Sequence, residues 1–213
     1  MYQVKEKLFK LQEEIAPYTP NIIAVTKYFG KDGILEAYDA GLRDFGESKI
    51  PESIRKIESL PKEIRENSKF HLIGHLQANK VKKAVGFFDF IHSVDSKELA
   101  ERISKEAINK NIVQKIFLQV NNANEAQKFG FSKEEILRVF DEITNLRGIK
   151  IVGLMNIAPL TTDKEEISKL FEEISLLNKY FGLRELSMGM SNDYKEAVRK
   201  GATYIRVGRK LFS

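Results

Sequence analysis

The sequence predicts an α/β fold: a single (β/α)8 barrel of the TIM type over residues 1–213, with an extra helix at the N-terminus. Three observations predict it. Strand-like apolar runs alternate with helix-like segments along the whole chain. Connections between them are short, with no linker or low-complexity tract. Residues able to do chemistry sit at the C-terminal ends of the strand-like runs, where barrels of this kind place their sites. A doubly wound open sheet is the main competitor, but no GxGxxG or Walker pattern supports it as a nucleotide binder.

The elements follow in order. After an N-terminal helical pattern, Ile22–Lys27 is apolar on both faces, as expected of a strand covered on both sides. Residues 31–41 read as a short helix ending near Gly41, and Asp44–Glu47 as a second strand. Pro51 is suited to the start of the next helix, towards Leu60. Phe70–Gly74 is the third strand, followed by a helix to about Val85; Phe90–Asp95 is the fourth. Ser96 caps a helix that carries Leu99, Ile103 and Ala107 at helical spacing. In the fifth strand, Lys115–Asn121, Ile116, Leu118 and Val120 should face helices, and Phe117, Gln119 and Asn121 the barrel interior. Ser132 with Glu135 makes a capping box for the next helix. Ile149–Ile157 is the sixth strand, and a helix runs from about Asp163 to Phe181, stopped by Gly182. Glu185–Gly189 is the seventh strand, a helix follows from about Asp193 to Lys200, and Thr203–Gly208 is the eighth.

Composition narrows the function classes. With 42% hydrophobic and 31% charged residues the chain reads as soluble and globular. It has no run long enough to span a membrane and no apolar leader, and it contains no cysteine. The expectation is a cytoplasmic protein without disulfide or thiolate chemistry. The net charge is +5, but both signs are interspersed, as in Lys133-Glu134-Glu135, so nucleic acid is not expected as a partner. The basic run Lys80-Val81-Lys82-Lys83 reads as an exposed helix face.

Lys27 carries the most chemical information. An amine at a strand end, on the face of Ile23 and Val25, would point into a site and could form a Schiff base with an aldehyde or ketone. Taken alone the segment favours a lysine that is simply the first solvated residue after a strand; the rest of the chain reverses that preference. The small-residue loop Ser187–Asp193, with Ser191, and the strand end at Gly208 lie after strands seven and eight. Each alone reads as a plain cap; as a pair at adjacent strand ends they are consistent with a phosphate site. Arg206 shares a face with Tyr204 and Gly208 and points inward if Ile205 and Val207 pack on helices. Such an arginine stays charged and needs either a carboxylate or another acceptor, such as a heteroaromatic ring nitrogen. His71 and His75 are spaced HxxxH, but four residues of extended strand span about 13 Å, too far for one ion, so no metal site is expected.

Five blocks together resemble a known family: Ala24-Val25-Thr26-Lys27, Phe45-Gly46-Glu47-Ser48, His71–Lys80, Leu186–Asp193 and Ile205–Gly208. They are similar, in the same order, to the signature blocks of the YggS/PROSC family of pyridoxal phosphate homeostasis proteins. The resemblance implies a barrel like the N-terminal domain of alanine racemase. It implies pyridoxal 5′-phosphate (PLP) held as a Schiff base on Lys27, with Ser191 and Gly208 at the phosphate, Arg206 at the pyridine nitrogen and Asn156 nearby. Three positions depart from the family pattern. Ser48-Lys49 stand where Asn-Tyr or Asn-Arg is usual, His75 where Pro is usual, and Arg209 where a Thr or Ser is usual. Arg209 either replaces the lost hydroxyl with a charge-assisted contact or points away.

The resemblance further implies a carrier and regulator of intracellular PLP rather than a catalyst, with no catalytic residues assigned and apo PLP enzymes as recipients. The alternative is a low-activity PLP-dependent amino-acid racemase. Racemisation needs an acid/base group on each face of the substrate. Alanine racemases take the second from a C-terminal domain, and this chain ends soon after Gly208. A monomer is expected.

Overall fold

In the computed structural model, which describes residues 3–123, 129–159 and 161–213, eight parallel strands close into a barrel in sequence order. They are β1 (Asn21–Val25), β2 (Asp44–Glu47), β3 (Lys69–Leu72), β4 (Phe90–Val94), β5 (Gln114–Val120), β6 (Ile149–Asn156), β7 (Glu185–Ser187) and β8 (Tyr204–Val207). Closure is made by β1 against β8, with Ile23 opposite Arg206 and Ala24 opposite Val207. The helices are α1 (Val4–Ile15), α2 (Lys31–Asp39), α3 (Glu52–Glu58), α4 (Lys62–Glu66), α5 (Val81–Ala84), α6 (Lys97–Asn109), α7 (Lys133–Thr144), α8 (Lys164–Tyr180), α9 (Tyr194–Arg199) and α10 (Arg209–Phe212). No helix among the described residues is long and apolar enough to cross a membrane.

Strand alternation builds two cores. Outward residues such as Ile116, Leu118, Val120, Ile205 and Val207 join the shell between barrel and helices. Inward residues Ile23, Phe90, Phe117, Met155 and Tyr204 fill the lumen. Helix faces complete the shell at helical spacing: α6 buries Leu99, Ile103 and Ala107, and α1 buries Val4, Leu8, Leu11 and Ile15. The N-caps form as their side chains dictate. Ser96 accepts from the Leu99 amide, Ser132 and Glu135 complete a capping box, and Asp163 accepts from two amides of α8.

Differences from the sequence reading lie at element ends. β1 stops at Val25; the Thr26 amide still donates to the Gly46 carbonyl of β2 at 3.1 Å, and the turn begins at Lys27. The helix expected to reach Val85 is a 3-10 turn over Ala78–Lys80 followed by the four-residue α5. β7 ends at Ser187 because Gly189 takes a positive φ of 89°, where its missing Cβ would lie 2.5 Å from that of Ala197. The short helices α4 and α10 were not expected; α10 opens directly at Gly208.

Candidate functional site

The C-terminal mouth gathers the expected site residues, and Arg206 is their fixed point. Its side chain is buried and directed into the lumen, as alternation requires, because Ile205 and Val207 belong to the outer shell. Its Nη1 donates to the Ser187 carbonyl and to Ser187 Oγ, both at 2.7 Å, and its Nη2 donates to the Asn156 carbonyl at 2.7 Å. None of these acceptors is a carboxylate. Asp193 acts on it only at longer range, and burial lowers the guanidinium to about 10, so it remains charged at neutral pH. A guanidinium has five N–H donors, of which these contacts use three.

Asn156, at the end of β6, is brought onto the same site. Its Nδ2 donates to Asn122 Oδ1 at 2.7 Å, while its own Oδ1 is buried with no partner among the described residues. A buried unpaired carbonyl oxygen is costly unless a ligand or water donates to it. Gly208 lies against the end of β1, where a Cβ would sit 3.3 Å from the Val25 carbonyl oxygen. Glycine therefore leaves a shallow cradle at the β1–β8 seam that any side chain would fill.

Ser191 is half-buried in the turn between β7 and α9, without a hydrogen bond among the described residues. That turn is tied internally: the Met190 amide donates to Asp193 Oδ1. Burial raises the Asp193 carboxyl above its ordinary range. The structure joins Arg206, Ser187 and Asn156 directly, and it sets Gly208 on Val25. It draws neither Ser191 nor Lys27 into that network.

Lys27 lies two residues beyond the end of β1, in the turn rather than on the strand face with Ile23 and Val25. It is exposed, and its amine lies 5.0 Å from the centre of the Tyr28 ring. It lines a cleft of about 350 Å³ with Tyr28, Glu47, Lys49, Glu52 and Lys56. Its amine has no hydrogen-bond partner among the described residues and ends a flexible four-carbon stem.

A clamp that the sequence reading missed holds this turn. Lys56, from α3, ion-pairs with the buried Glu47 and donates to the carbonyls of Thr26 at 2.9 Å and Phe29 at 3.0 Å, which bracket Lys27. Thr26 Oγ1 donates to the same Glu47 at 2.5 Å. No spacing rule ties a strand-end carboxylate to a lysine nine positions later across a loop; only the barrel brings them together.

The remaining histidines divide. His75 stacks on Phe129 at 3.8 Å and bonds to Asp95 at 3.0 Å on the mouth's rim. His71 and His92 are hydrogen-bonded lumen residues, as expected for these strands. Among the described residues, no three His, Asp or Glu groups are placed to hold a metal ion.

Comparison with known proteins matches this architecture. The family described as alanine racemase, N-terminal domain, matches residues 2–213. The pyridoxal phosphate homeostasis protein of Synechocystis is 38% identical over 208 residues, covering 94% of each chain. That of Aquifex aeolicus is 36% identical, covering 90% of this chain and 85% of its own. The structure of PipY from Synechococcus elongatus, with PLP bound, superposes with a TM-score of 0.88 at 38% identity and covers 99% of this chain. With a barrel and relatives that agree over nearly the whole length, this chain belongs to the family of pyridoxal phosphate homeostasis proteins, built on the alanine racemase N-terminal domain.

Proposed function

We propose that this chain binds pyridoxal 5′-phosphate at the C-terminal mouth of its barrel and serves intracellular PLP homeostasis as a carrier and regulator. The observation that carries the reading is the buried, charged Arg206, held without a carboxylate and with two N–H groups uncommitted among the described residues. Bound PLP would supply an aldehyde able to react reversibly with an amine, and a ring whose protonated nitrogen would act as an electron sink.

The chain's own residues do the rest. Lys27 is the capturing amine, presented by the turn that Lys56 and Glu47 clamp. Arg206 can only donate, so with the ring nitrogen as its acceptor it would favour the unprotonated ring and weaken the sink. Strong carbanion chemistry is thereby disfavoured, and reversible holding is left. Gly208 and Ser191 border the phosphate end; the cradle at Gly208 fits a group that backbone amides would bind. Asn156 contributes its backbone carbonyl, which holds Arg206 at the mouth. The barrel acts as one domain, works as a monomer in the cytoplasm, and passes its cargo to apo PLP enzymes.

The test is a titration of the protein with PLP, followed by absorbance, beside Lys27→Ala. A visible Schiff-base band that borohydride fixes, present in the parent and lost in Lys27→Ala, is the expected result. A colourless parent protein overturns the reading.

A further inference from the structure

A single hydrogen-bond chain crosses the lumen beneath the mouth. It begins at Arg206 on β8 and passes to Ser187 Oγ on β7 at 2.7 Å. Ser187 Oγ meets His92 Nδ1 on β4 at 2.9 Å, across the barrel. His92 Nε2 meets His71 Nδ1 on β3 at 2.9 Å, and His71 Nε2 meets Asp44 Oδ1 at the start of β2 at 2.9 Å. The two imidazoles and the arginine are fully or almost fully buried; Asp44 is the partly exposed end. Phe90 stacks on His71 at 4.7 Å and Phe117 on His92 at 4.1 Å, so neither ring can tilt out of line.

The chemistry of the two ends fixes every proton between them. Arg206 can only donate, so Ser187 Oγ accepts from it and spends its one hydrogen on His92 Nδ1. A neutral His92 then carries its proton on Nε2 and gives it to His71 Nδ1. His71 in turn carries its proton on Nε2 and gives it to the Asp44 carboxylate, which accepts. Burial holds both imidazoles below their ordinary range, consistent with neutral rings. Reversing any link would set two donors or two acceptors face to face.

We propose that His92 and His71 are positioning residues for Arg206: with Ser187 they form a one-way hydrogen-bond chain, anchored on Asp44, that sets where the guanidinium sits and which of its N–H groups remain for the ring nitrogen of PLP. The proposal rests on the reading of Arg206 given above. It assigns work to Ser187, to two buried lumen histidines and to Asp44 that a packing role alone would not require. An all-apolar lumen would fill the same space at less desolvation cost.

The test has two arms. Nitrogen NMR of histidine-labelled protein without PLP reads the tautomers; both buried histidines are expected as neutral rings protonated on Nε2. Either ring protonated on Nδ1, or on both nitrogens, overturns the chain. The second arm measures PLP binding and the Schiff-base band in Ser187→Ala, His92→Phe and His92→Gln, with melting curves to establish folding. His92→Phe fills the space without polar atoms. His92→Gln restores one acceptor and one donor at about the spacing of two ring nitrogens. Loss of one guiding hydrogen bond predicts about tenfold weaker PLP binding in Ser187→Ala and His92→Phe, with a shifted band, and recovery towards the parent in His92→Gln. Folded variants with parent affinity and an unshifted band overturn the positioning role. A parent protein that takes no PLP instead overturns the reading of the site, and the two failures are distinguishable because the tautomer signature does not need the cofactor.

Discussion

Arg206 and Lys27 show how far alternation reaches at the scale of one residue. Arg206 was legible because it lies inside a strand, where the period of two decides the face. Its acceptors were not, because Ser187 and Asn156 are 19 and 50 residues away in sequence. Lys27 lies beyond its strand, where alternation no longer applies, so of the two readings the sequence offered it takes that of a solvated residue after the strand rather than a place on the face of Ile23 and Val25. The same turn explains why Lys56 matters. Replacing it as Lys56→Met leaves the buried Glu47 without its cation, with only the Thr26 hydroxyl as partner, and frees two carbonyls bracketing Lys27. We expect a loss of about 3 kcal/mol in urea unfolding, and slower borohydride-trapped labelling at Lys27 in the protein that still folds. Unchanged stability would show that the clamp is ornamental.

Elements obeyed their local signals most faithfully where caps and periodicity agreed. The Ser132–Glu135 capping box was written in the sequence and is present in α7; Ser132→Ala is expected to lower unfolding stability by about 1 kcal/mol. Ile103 of α6, fully buried, should cost about 2–5 kcal/mol as Ile103→Ala, read in the same denaturant assay. What the sequence hid is how the two chain ends are tied. Glu14 of α1 accepts from the Tyr194 hydroxyl and pairs with Lys195 at 3.0 Å and Lys210 at 3.1 Å, fastening α1 to α9 and α10. These partners, the Tyr194 hydrogen bond first, hold its carboxyl down at about 2, against an ordinary value of 4.5. A depressed folded-state value means the contribution is complete above about pH 4.5 and is lost as pH falls towards 2. Glu14→Gln should therefore lower the melting temperature at neutral pH and flatten its decline across that acid window. An unaltered acid limb would remove Glu14 from the account.

For the whole molecule, the alternating pattern and the strand-end chemistry were enough to predict a closed parallel barrel, and the strand order bears that out. The lumen was the least legible part. His71 and His92 could be read as strand residues, but a chain joining β2, β3, β4, β7 and β8 exists only after closure. The orphan Asn156 Oδ1 and the cradle at Gly208 likewise appear only when β1, β6 and β8 share one mouth. The central claim is that this mouth holds PLP through Lys27. Its most direct test is borohydride reduction of the PLP-loaded protein, followed by digestion and mass spectrometry. The account predicts one phosphopyridoxyl adduct, on the peptide carrying Lys27. Its appearance on another lysine such as Lys49 or Lys56, or no stoichiometric adduct at all, would contradict it.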